Sequence, residues 1–171
     1  VLIAEKGKII FSKAYGHSDT LSKHLNQINT IYELGSCAKQ FTAAGIVLLQ
    51  RQGLLQYDDH IDQYLPELQH WHNVKLIYLL RHTSGLPEYL ADMSKSWDYH
   101  LIANNNDLIK FYANRKDSLR FDPGSMHRYN NTNYALLASI IERVSGKSYA
   151  EFLHENIFKP LKMKSTFVYN R

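Results

Sequence analysis

The sequence predicts an α+β fold in which strands come first and helices follow. Within residues 1–16, two β-rich runs on either side of Gly7 predict a β-hairpin. Later segments instead repeat apolar residues at helical spacing, so a mostly helical stretch is expected after the strands. Because a lone hairpin is at best marginally stable in water, we expect the sheet to be incomplete and both ends of the 171-residue chain to continue in a longer fold.

The composition excludes several classes of protein. The chain is 44% hydrophobic and 21% charged, which is too apolar for a disordered protein. Its single cysteine excludes a disulfide scaffold and a cysteine-based zinc site. The net charge of +4 is modest and the basic residues are scattered, which argues against nucleic acid as a partner. No apolar run reaches the roughly 18 residues that cross a bilayer, so no membrane span is predicted.

The first helix is expected over residues 36–52 and is apolar on nearly every side. A helix of this kind is normally buried, and its polar residues lie almost entirely in its first two turns. Chemistry is therefore expected at its N-terminus. A short strand is expected just before it, over residues 31–34. We place residues 1–57 in a sheet domain and residues 58–171 in a mostly helical subdomain.

The later helices carry recognisable end signals. Asp107 can cap one of them, and Gly146 closes an amphipathic helix predicted over residues 132–144. Ser148 and Glu151 have the spacing of a capping box, which predicts the start of a further helix.

Ser36 and Lys39 are the strongest candidates for chemistry. A spacing of three residues puts both side chains on one face of a helix. A serine hydroxyl is a poor nucleophile until a base takes its proton, and a lysine amine can be that base when burial or nearby positive charge lowers its pKa. The helix N-terminus adds amide donors that suit a developing oxyanion. The alternative is that Ser36 only caps the helix and Lys39 is solvated.

Tyr129 and Asn131 form the second candidate pair. In an extended segment, residues two apart project to the same side. A phenol can shuttle a proton when cations hold it as phenolate, and an amide can orient a lysine or a substrate carbonyl. The alternative is a turn with a tyrosine in the core.

Three further features are weaker candidates. Residues 82–85, with the sequence His-Thr-Ser-Gly, are expected to end a short helix that follows Asn73 and runs through Leu76, Leu79 and Leu80, rather than to act in catalysis. A group of possible metal ligands lacks metal-site spacing, so a loop is expected there instead. The group consists of Asp58, His60, Asp62, His70 and His72. Cys37 is expected to pack on the apolar side of the first helix.

Six segments, spread between residues 35 and 163, follow one another in a family-like order. They are residues 35–43 (GSCAKQFTA), 79–87 (LLRHTSGLP), 121–124 (FDPG), 129–131 (YNN), 144–146 (VSG) and 158–163 (FKPLKM). Together they resemble the serine β-lactamase and penicillin-binding-protein superfamily, and most closely its class C-related branch of β-lactamases, D,D-peptidases and esterases. The resemblance implies an incomplete α/β sandwich of the β-lactamase type, with a hairpin and a nucleophile helix followed by a helical subdomain.

The resemblance also implies roles for the four candidate residues. Ser36 would be acylated and Lys39 would be its proton partner. Tyr129 would act as general base and acid, and Asn131 would hold Lys39 and the substrate. The family's third motif, a Lys/His-Thr/Ser-Gly strand that supplies an oxyanion amide, has no counterpart in this sequence, so we expect the chain alone to be inactive.

The expected function is hydrolysis, through an acyl-serine, of an ester, a D-amino-acid peptide or a β-lactam. The partner would be a small-molecule or peptide substrate, and neither a metal nor an organic cofactor is implied. Esters and D-peptides are favoured over β-lactams because no second carboxylate base is evident. The carboxylates of Glu88, Asp117 and Asp122 are expected to be solvated. The alternative is a catalytically silent module that binds peptidoglycan-type or peptide ligands. The resemblance favours a periplasmic or extracellular location, and the sequence does not indicate an oligomeric state.

Overall fold

The computed structural model describes residues 1–98, 100 and 103–169, and the chain divides into two units, Val1–Gly35 and Ser36–Arg171. The first unit carries the strands and the second carries the helices, so the predicted α+β class is confirmed. The division predicted between residues 57 and 58 concerns the domains of a longer fold, and it stays a prediction.

The predicted hairpin is present in the first unit. Strand β1 (Leu2–Glu5) pairs antiparallel with strand β2 (Lys8–Ser12). Lys6 and Gly7 connect them, and both have a positive φ, 48° and 77°, as a two-residue type I′ turn requires. The turn residues therefore set the direction in which the second strand returns.

The short strand predicted over residues 31–34 is wrong. These residues form neither a strand nor a helix. In the described part of the chain, β1 and β2 form a two-stranded sheet and pair only with each other, so this apolar segment has no strand partner. A segment with β propensity does not form a strand when no neighbouring strand pairs with it.

The second unit contains most of the helices. Within the described residues the α-helices are α1 (Lys39–Arg51), α2 (Leu76–Leu80), α3 (Tyr89–Met93), α4 (Asn105–Arg115), α5 (Asn131–Ser145) and α6 (Tyr149–Leu153). Turns of 3-10 helix lie at Gly35–Ala38, Ile61–Gln63 and Pro66–Trp71, and a π-helical turn lies at His154–Phe158.

Helix α5 lies at the centre of this unit, against α1, α2, α4 and α6. One stripe of its apolar side chains is fully buried, as the amphipathic pattern predicts. The stripe consists of Leu136, Leu137, Ile140 and Ile141. Gly146 closes the helix in the left-handed conformation, with φ 68°, and its N–H donates to the carbonyl oxygen of Glu142. The predicted end of this helix is therefore confirmed.

Helix α1 is buried on one side only. Ile46 and Leu49 are fully buried, whereas Val47 is 40% exposed. Since α5 and α6 pack against a single face of α1, the prediction of a helix buried all round is wrong for the described chain.

The two predicted helix starts have different outcomes. Ser148 and Glu151 form the expected capping box before α6. Asp107 is not the cap of α4 but its third residue, and Asn104 is the cap. Asn104 and Asp107 accept each other's backbone N–H, so the predicted cap is one half of a capping box that begins three residues earlier.

Two loops that precede the candidate site, residues 82–88 and residues 116–130, are joined by hydrogen bonds between their backbones. The first loop begins with residues 82–85, which follow the end of α2 as predicted, and it runs to Glu88. Three N–H groups of the second loop donate to carbonyl oxygens of the first. The pairs are Arg120 to Gly85 at 2.7 Å, Gly124 to Thr83 at 2.8 Å and Arg128 to His82 at 2.8 Å. This pairing fixes the segment that leads directly into Tyr129.

We expect Gly85→Ala to lower the free energy of unfolding by about 3 kcal/mol. Gly85 has φ 76°, which strains an L-residue by about 1–2 kcal/mol. A Cβ there would also lie 2.1 Å from the carbonyl oxygen of Phe121, and such overpacking costs about 1–3 kcal/mol. Gly146→Ala is the matched control, because Gly146 has φ 68° and no atom within 4 Å of a Cβ. Urea unfolding measures both variants, and equal losses would contradict the clash with Phe121.

Candidate active site

Ser36 and Lys39 lie side by side at the start of α1. Ser36 belongs to the 3-10 turn and Lys39 is the first residue of the helix, and Lys39 Nζ donates to Ser36 Oγ at 3.1 Å. The cap position of α1 is Ala38, and no side chain caps the helix. The alternative in which Ser36 only caps the helix and Lys39 is solvated is therefore wrong.

Tyr129 and Asn131, at the start of α5, lie next to Ser36 and Lys39. Tyr129 Oη and Ser36 Oγ are 2.6 Å apart, and Lys39 Nζ donates to Asn131 Oδ1 at 2.8 Å. Tyr129 is 49% exposed, so it is not a core tyrosine. The structure thus brings together all four candidate residues that the sequence singles out.

The phenol of Tyr129 lies in a positive environment. Hydrogen bonding to the Lys39 ammonium, followed by that to the Ser36 hydroxyl, holds the pKa of Tyr129 below its ordinary value. Lys39 Nζ also lies 5.0 Å from the centre of the Tyr129 ring and 5.7 Å from that of Tyr134, within the range of cation–π attraction. A lowered pKa makes the phenolate form more accessible, and a phenolate beside a serine hydroxyl can accept its proton.

Glu88 contacts the site, so the expectation that it is solvated is wrong. Its Oε2 accepts the backbone N–H of Asn131 at 2.7 Å and lies 3.4 Å from Asn131 Nδ2. Its Oε1 accepts the N–H of Leu90 at the start of α3. Sequence reasoning missed this residue because the contact spans 43 positions, and no local pattern signals it.

His82 is a second residue whose place the sequence does not reveal. Its Nδ1 accepts the N–H of Asn130 at 3.2 Å, and its ring packs on those of Tyr129 and Tyr134 at 4.6 and 5.1 Å between centroids. Burial lowers the pKa of His82. The neutral ring is the form whose Nδ1 can accept a hydrogen bond, so both observations agree. His82 therefore supports the Tyr129 ring in addition to ending α2.

Three other expectations have mixed outcomes. Asp122 is exposed, as predicted, but Asp117 is not solvated, because it pairs with Arg115 at 3.0 Å and its side chain is 18% exposed. Cys37 is exposed rather than packed. The reason is that the residues around it form a 3-10 turn with no buried residue instead of the first turn of α1.

Asp58, His60 and His72, from the group of possible metal ligands, form ordinary loop contacts. Asp58 pairs with Lys75 at 2.9 Å, and His60 Nδ1 contacts the carbonyl oxygen of His72. In residues 1–98, 100 and 103–169, no three histidine, cysteine, aspartate or glutamate side chains are grouped to hold a metal ion.

A cleft of about 180 Å³ opens beside Tyr129. It is lined by Leu86, Glu88, Ala91, Asp92, Arg120, Arg128, Tyr129 and Asn130. Its volume suits part of a small molecule rather than a whole drug-sized ligand. A substrate group placed there would lie next to the phenol that contacts Ser36.

The Beta-lactamase family profile matches residues 1–171. The chain belongs to the Beta-lactamase family. It is 43% identical over its whole length to a penicillin-binding protein of Bacillus subtilis (strain 168). Among solved structures it resembles FmtA of Staphylococcus aureus, with 31% identity and a TM-score of 0.83 over 96% of this chain. It also resembles the D-amino acid amidase of Ochrobactrum anthropi SV3, with 28% identity and a TM-score of 0.76 over 95% of this chain.

The chain spans less than half the length of these relatives. It covers 38% of the Bacillus subtilis protein, 44% of the FmtA chain and 43% of the amidase chain. The likeness to penicillin-binding proteins and to an amidase agrees with the β-lactamase-like fold and the class C-related branch expected from the six motifs. In the described residues, no helix is both long and apolar enough to cross a membrane.

We expect Lys39→Met to raise the pKa of Tyr129 toward its ordinary value. The hydrogen bond from the Lys39 ammonium is the largest cause of the lowered pKa, so its removal leaves the phenolate less stabilised. An NMR titration of ¹³C-labelled tyrosine rings measures the change. Lys75→Met is the control, since Lys75 pairs with Asp58 and has no contact with Tyr129. A pKa of Tyr129 that stays the same or falls in Lys39→Met would contradict the assignment.

Proposed function

We propose that the protein carrying this chain is a serine hydrolase in which Ser36 forms an acyl-enzyme. The observation that carries the proposal is the 2.6 Å contact between Ser36 Oγ and Tyr129 Oη, with Lys39 Nζ 3.1 Å from the same Ser36 oxygen. A nucleophile within hydrogen-bond reach of a base, and a third group that orients the base, is the arrangement that activates a serine. Membership of the Beta-lactamase family supports the same chemistry.

In the first step, Ser36 Oγ attacks the carbonyl carbon of the substrate and its proton passes to the Tyr129 phenolate. The new C–O bond forms as the carbonyl π electrons move to oxygen. When the bond to the leaving group breaks, the Tyr129 phenol returns the proton to the leaving atom. Water then attacks the acyl carbon by the same route, and Ser36 regains its hydrogen. The partial positive charge at the N-terminus of α1 favours the negative charge that develops on the carbonyl oxygen.

Lys39 and Asn131 serve this proton transfer. The Lys39 ammonium stabilises the phenolate and can exchange a proton with Ser36, to which it is hydrogen-bonded. Asn131 Oδ1 accepts from Lys39 Nζ at 2.8 Å and so keeps the amine between the serine and the phenol. No step of this sequence is routed through a metal or an organic cofactor.

The substrate is proposed to be an ester, a D-amino-acid peptide or a β-lactam. From the sequence alone, esters and D-peptides are favoured because no second carboxylate is evident near the site. Glu88 removes that reason, because its carboxylate contacts Asn131. The resemblance to a D-amino acid amidase now supports the preference for peptide-like carbonyls. Comparing kcat/KM for p-nitrophenyl butyrate, a D-alanyl-D-alanine peptide and nitrocefin on one preparation decides among the three.

We expect a fluorophosphonate or a penicillin to label Ser36 and no other residue of this chain. Mass spectrometry of tryptic peptides locates the adduct. Ser36→Ala should abolish labelling and leave the free energy of unfolding within about 0.5 kcal/mol of the parent, because Ser36 is exposed and caps no helix. Ser125→Ala is the matched control and should label normally.

An adduct on Ser84, Ser125 or Cys37 would overturn the assignment of Ser36. If the parent protein is not labelled but still binds a D-alanyl-D-alanine peptide, the catalytically silent binding module is the better description.

We expect Lys39→Arg to lower kcat nearly as far as Lys39→Ala does. Arginine keeps the positive charge, but its guanidinium does not give up a proton at working pH, so it cannot take part in proton exchange with Ser36. Steady-state kinetics on the two variants and the parent measure the effect. A kcat of Lys39→Arg above about a tenth of the parent value, within about 1.4 kcal/mol in activation free energy, would reduce Lys39 to a source of charge.

A further inference from the structure

Glu88 contacts Asn131 twice, at the backbone and at the side chain. Glu88 Oε2 accepts the Asn131 N–H at 2.7 Å and lies 3.4 Å from Asn131 Nδ2. Asn131 Oδ1, on the other side of the same amide, accepts from Lys39 Nζ at 2.8 Å. The amide of Asn131 therefore lies between a carboxylate and an ammonium.

The two charges dictate which way the amide faces. An ionised carboxylate can only accept hydrogen bonds, and an ammonium can only donate them. With Glu88 on one side and Lys39 on the other, Nδ2 must face Glu88 and Oδ1 must face Lys39. The reversed amide would place an oxygen against the carboxylate and an NH₂ group against the ammonium, so both contacts would become repulsive.

We propose that Glu88 is a positioning residue that fixes the Asn131 amide and through it holds Lys39 within reach of Ser36. The inference rests on the proposed function, in which Lys39 exchanges a proton with Ser36. Glu88 does not contact Ser36, and it acts on the reaction only through Asn131. The carboxylate also polarises the amide, which strengthens Oδ1 as an acceptor for the ammonium.

Other charged and titratable groups surround Glu88. Lys39, Tyr129 and His82 belong to the site, and the negative charge of Glu88 acts to raise the pKa of both Tyr129 and His82. Asp92, Arg120 and Arg128 line the same cleft as Glu88. Asp92 faces Arg120 at 3.6 Å and accepts from Tyr112 Oη at 3.3 Å, so it has partners away from Asn131.

Two variants separate the positioning role from the structural one. Glu88→Gln keeps the size but has one acceptor oxygen in place of two, so it can accept the N–H of Asn131 or that of Leu90 but not both. When its NH₂ group faces Asn131, the Asn131 amide is free to reverse. Glu88→Asp keeps the charge and is a favourable helix cap, but its carboxylate is one methylene shorter and no longer spans the contact to Asn131. Glu151→Gln makes the same chemical change at a carboxylate in the α6 capping box, which contacts Ser148 rather than the site.

We expect Glu88→Gln and Glu88→Asp each to lower kcat by about tenfold or more with little change in KM, because small displacements of a catalytic group are costly. Glu151→Gln should leave kcat within about twofold of the parent. In an Asn131→Ala background, Glu88→Gln should cost less than about twofold further, since the residue through which Glu88 acts is already gone.

An equal loss of kcat in the Asn131→Ala background would show that Glu88 acts by another route and would overturn the proposal. So would a kcat of Glu88→Gln within about twofold of the parent. The side-chain amide signal of Asn131 in a ¹⁵N NMR spectrum gives a readout that does not need activity. It should shift in Glu88→Gln and stay in place in Glu151→Gln, and an unchanged signal in Glu88→Gln would also overturn the proposal. Failure of Ser36 labelling in the parent would refute the proposed function instead.

Discussion

The hydrogen bond from Lys39 Nζ to Asn131 Oδ1 joins the first residues of α1 and α5, which lie 92 positions apart in the sequence. It places an ammonium at the N-termini of two helices, where the helix dipoles favour negative charge. Such a cation needs strong acceptors nearby, and the Ser36 hydroxyl, the Asn131 carbonyl and the ring of Tyr129 supply them. The geometry of the remaining site follows from the need to hold this charge.

Ser36 and Tyr129 are exposed and Lys39 and Asn131 are half-buried, whereas Asn130 and Thr132 behind them are buried and hydrogen-bonded. Asn130 Nδ2 donates to the carbonyl oxygen of Leu86 at 2.6 Å, and the Thr132 hydroxyl donates to that of Pro87 at 2.7 Å. These bonds tie the first turn of α5 to the loop that follows α2. Since α5 also packs at the centre of the hydrophobic core, core packing supports the position of the site in addition to the site's own contacts.

Features with a local cause could be predicted from the sequence. The hairpin depends on residues 6 and 7, and the end of α5 depends on Gly146, so neighbouring residues suffice for both. The pairing of Ser36 with Lys39 is local as well. Tyr129 and Asn131 could be predicted because their segment takes its place in the order of the six family-like segments.

Features with a distant cause could not be predicted in the same way. The contact of Glu88 with Asn131 spans 43 positions, and the stacking of His82 on Tyr129 depends on how two loops pair. The exposure of Val47 and the lack of a strand at residues 31–34 depend on which elements are present to cover them. The periodicity of a segment indicates which of its faces is apolar, but it does not indicate which other elements cover that face.

The 3-10 turn at Gly35–Ala38 makes the separation of Ser36 and Lys39 a matter of length rather than of composition. Lys39 directly follows this turn as the first residue of α1, and with about three residues per turn a residue three positions after Ser36 lies on the same side as Ser36. One residue more or fewer between them would rotate Lys39 about 120° away from the serine oxygen. Cys37, which lies between them in the sequence, is exposed and free. The turn therefore sets the distance between Ser36 and Lys39 through the number of residues between them, and an insertion or deletion there would separate the two side chains.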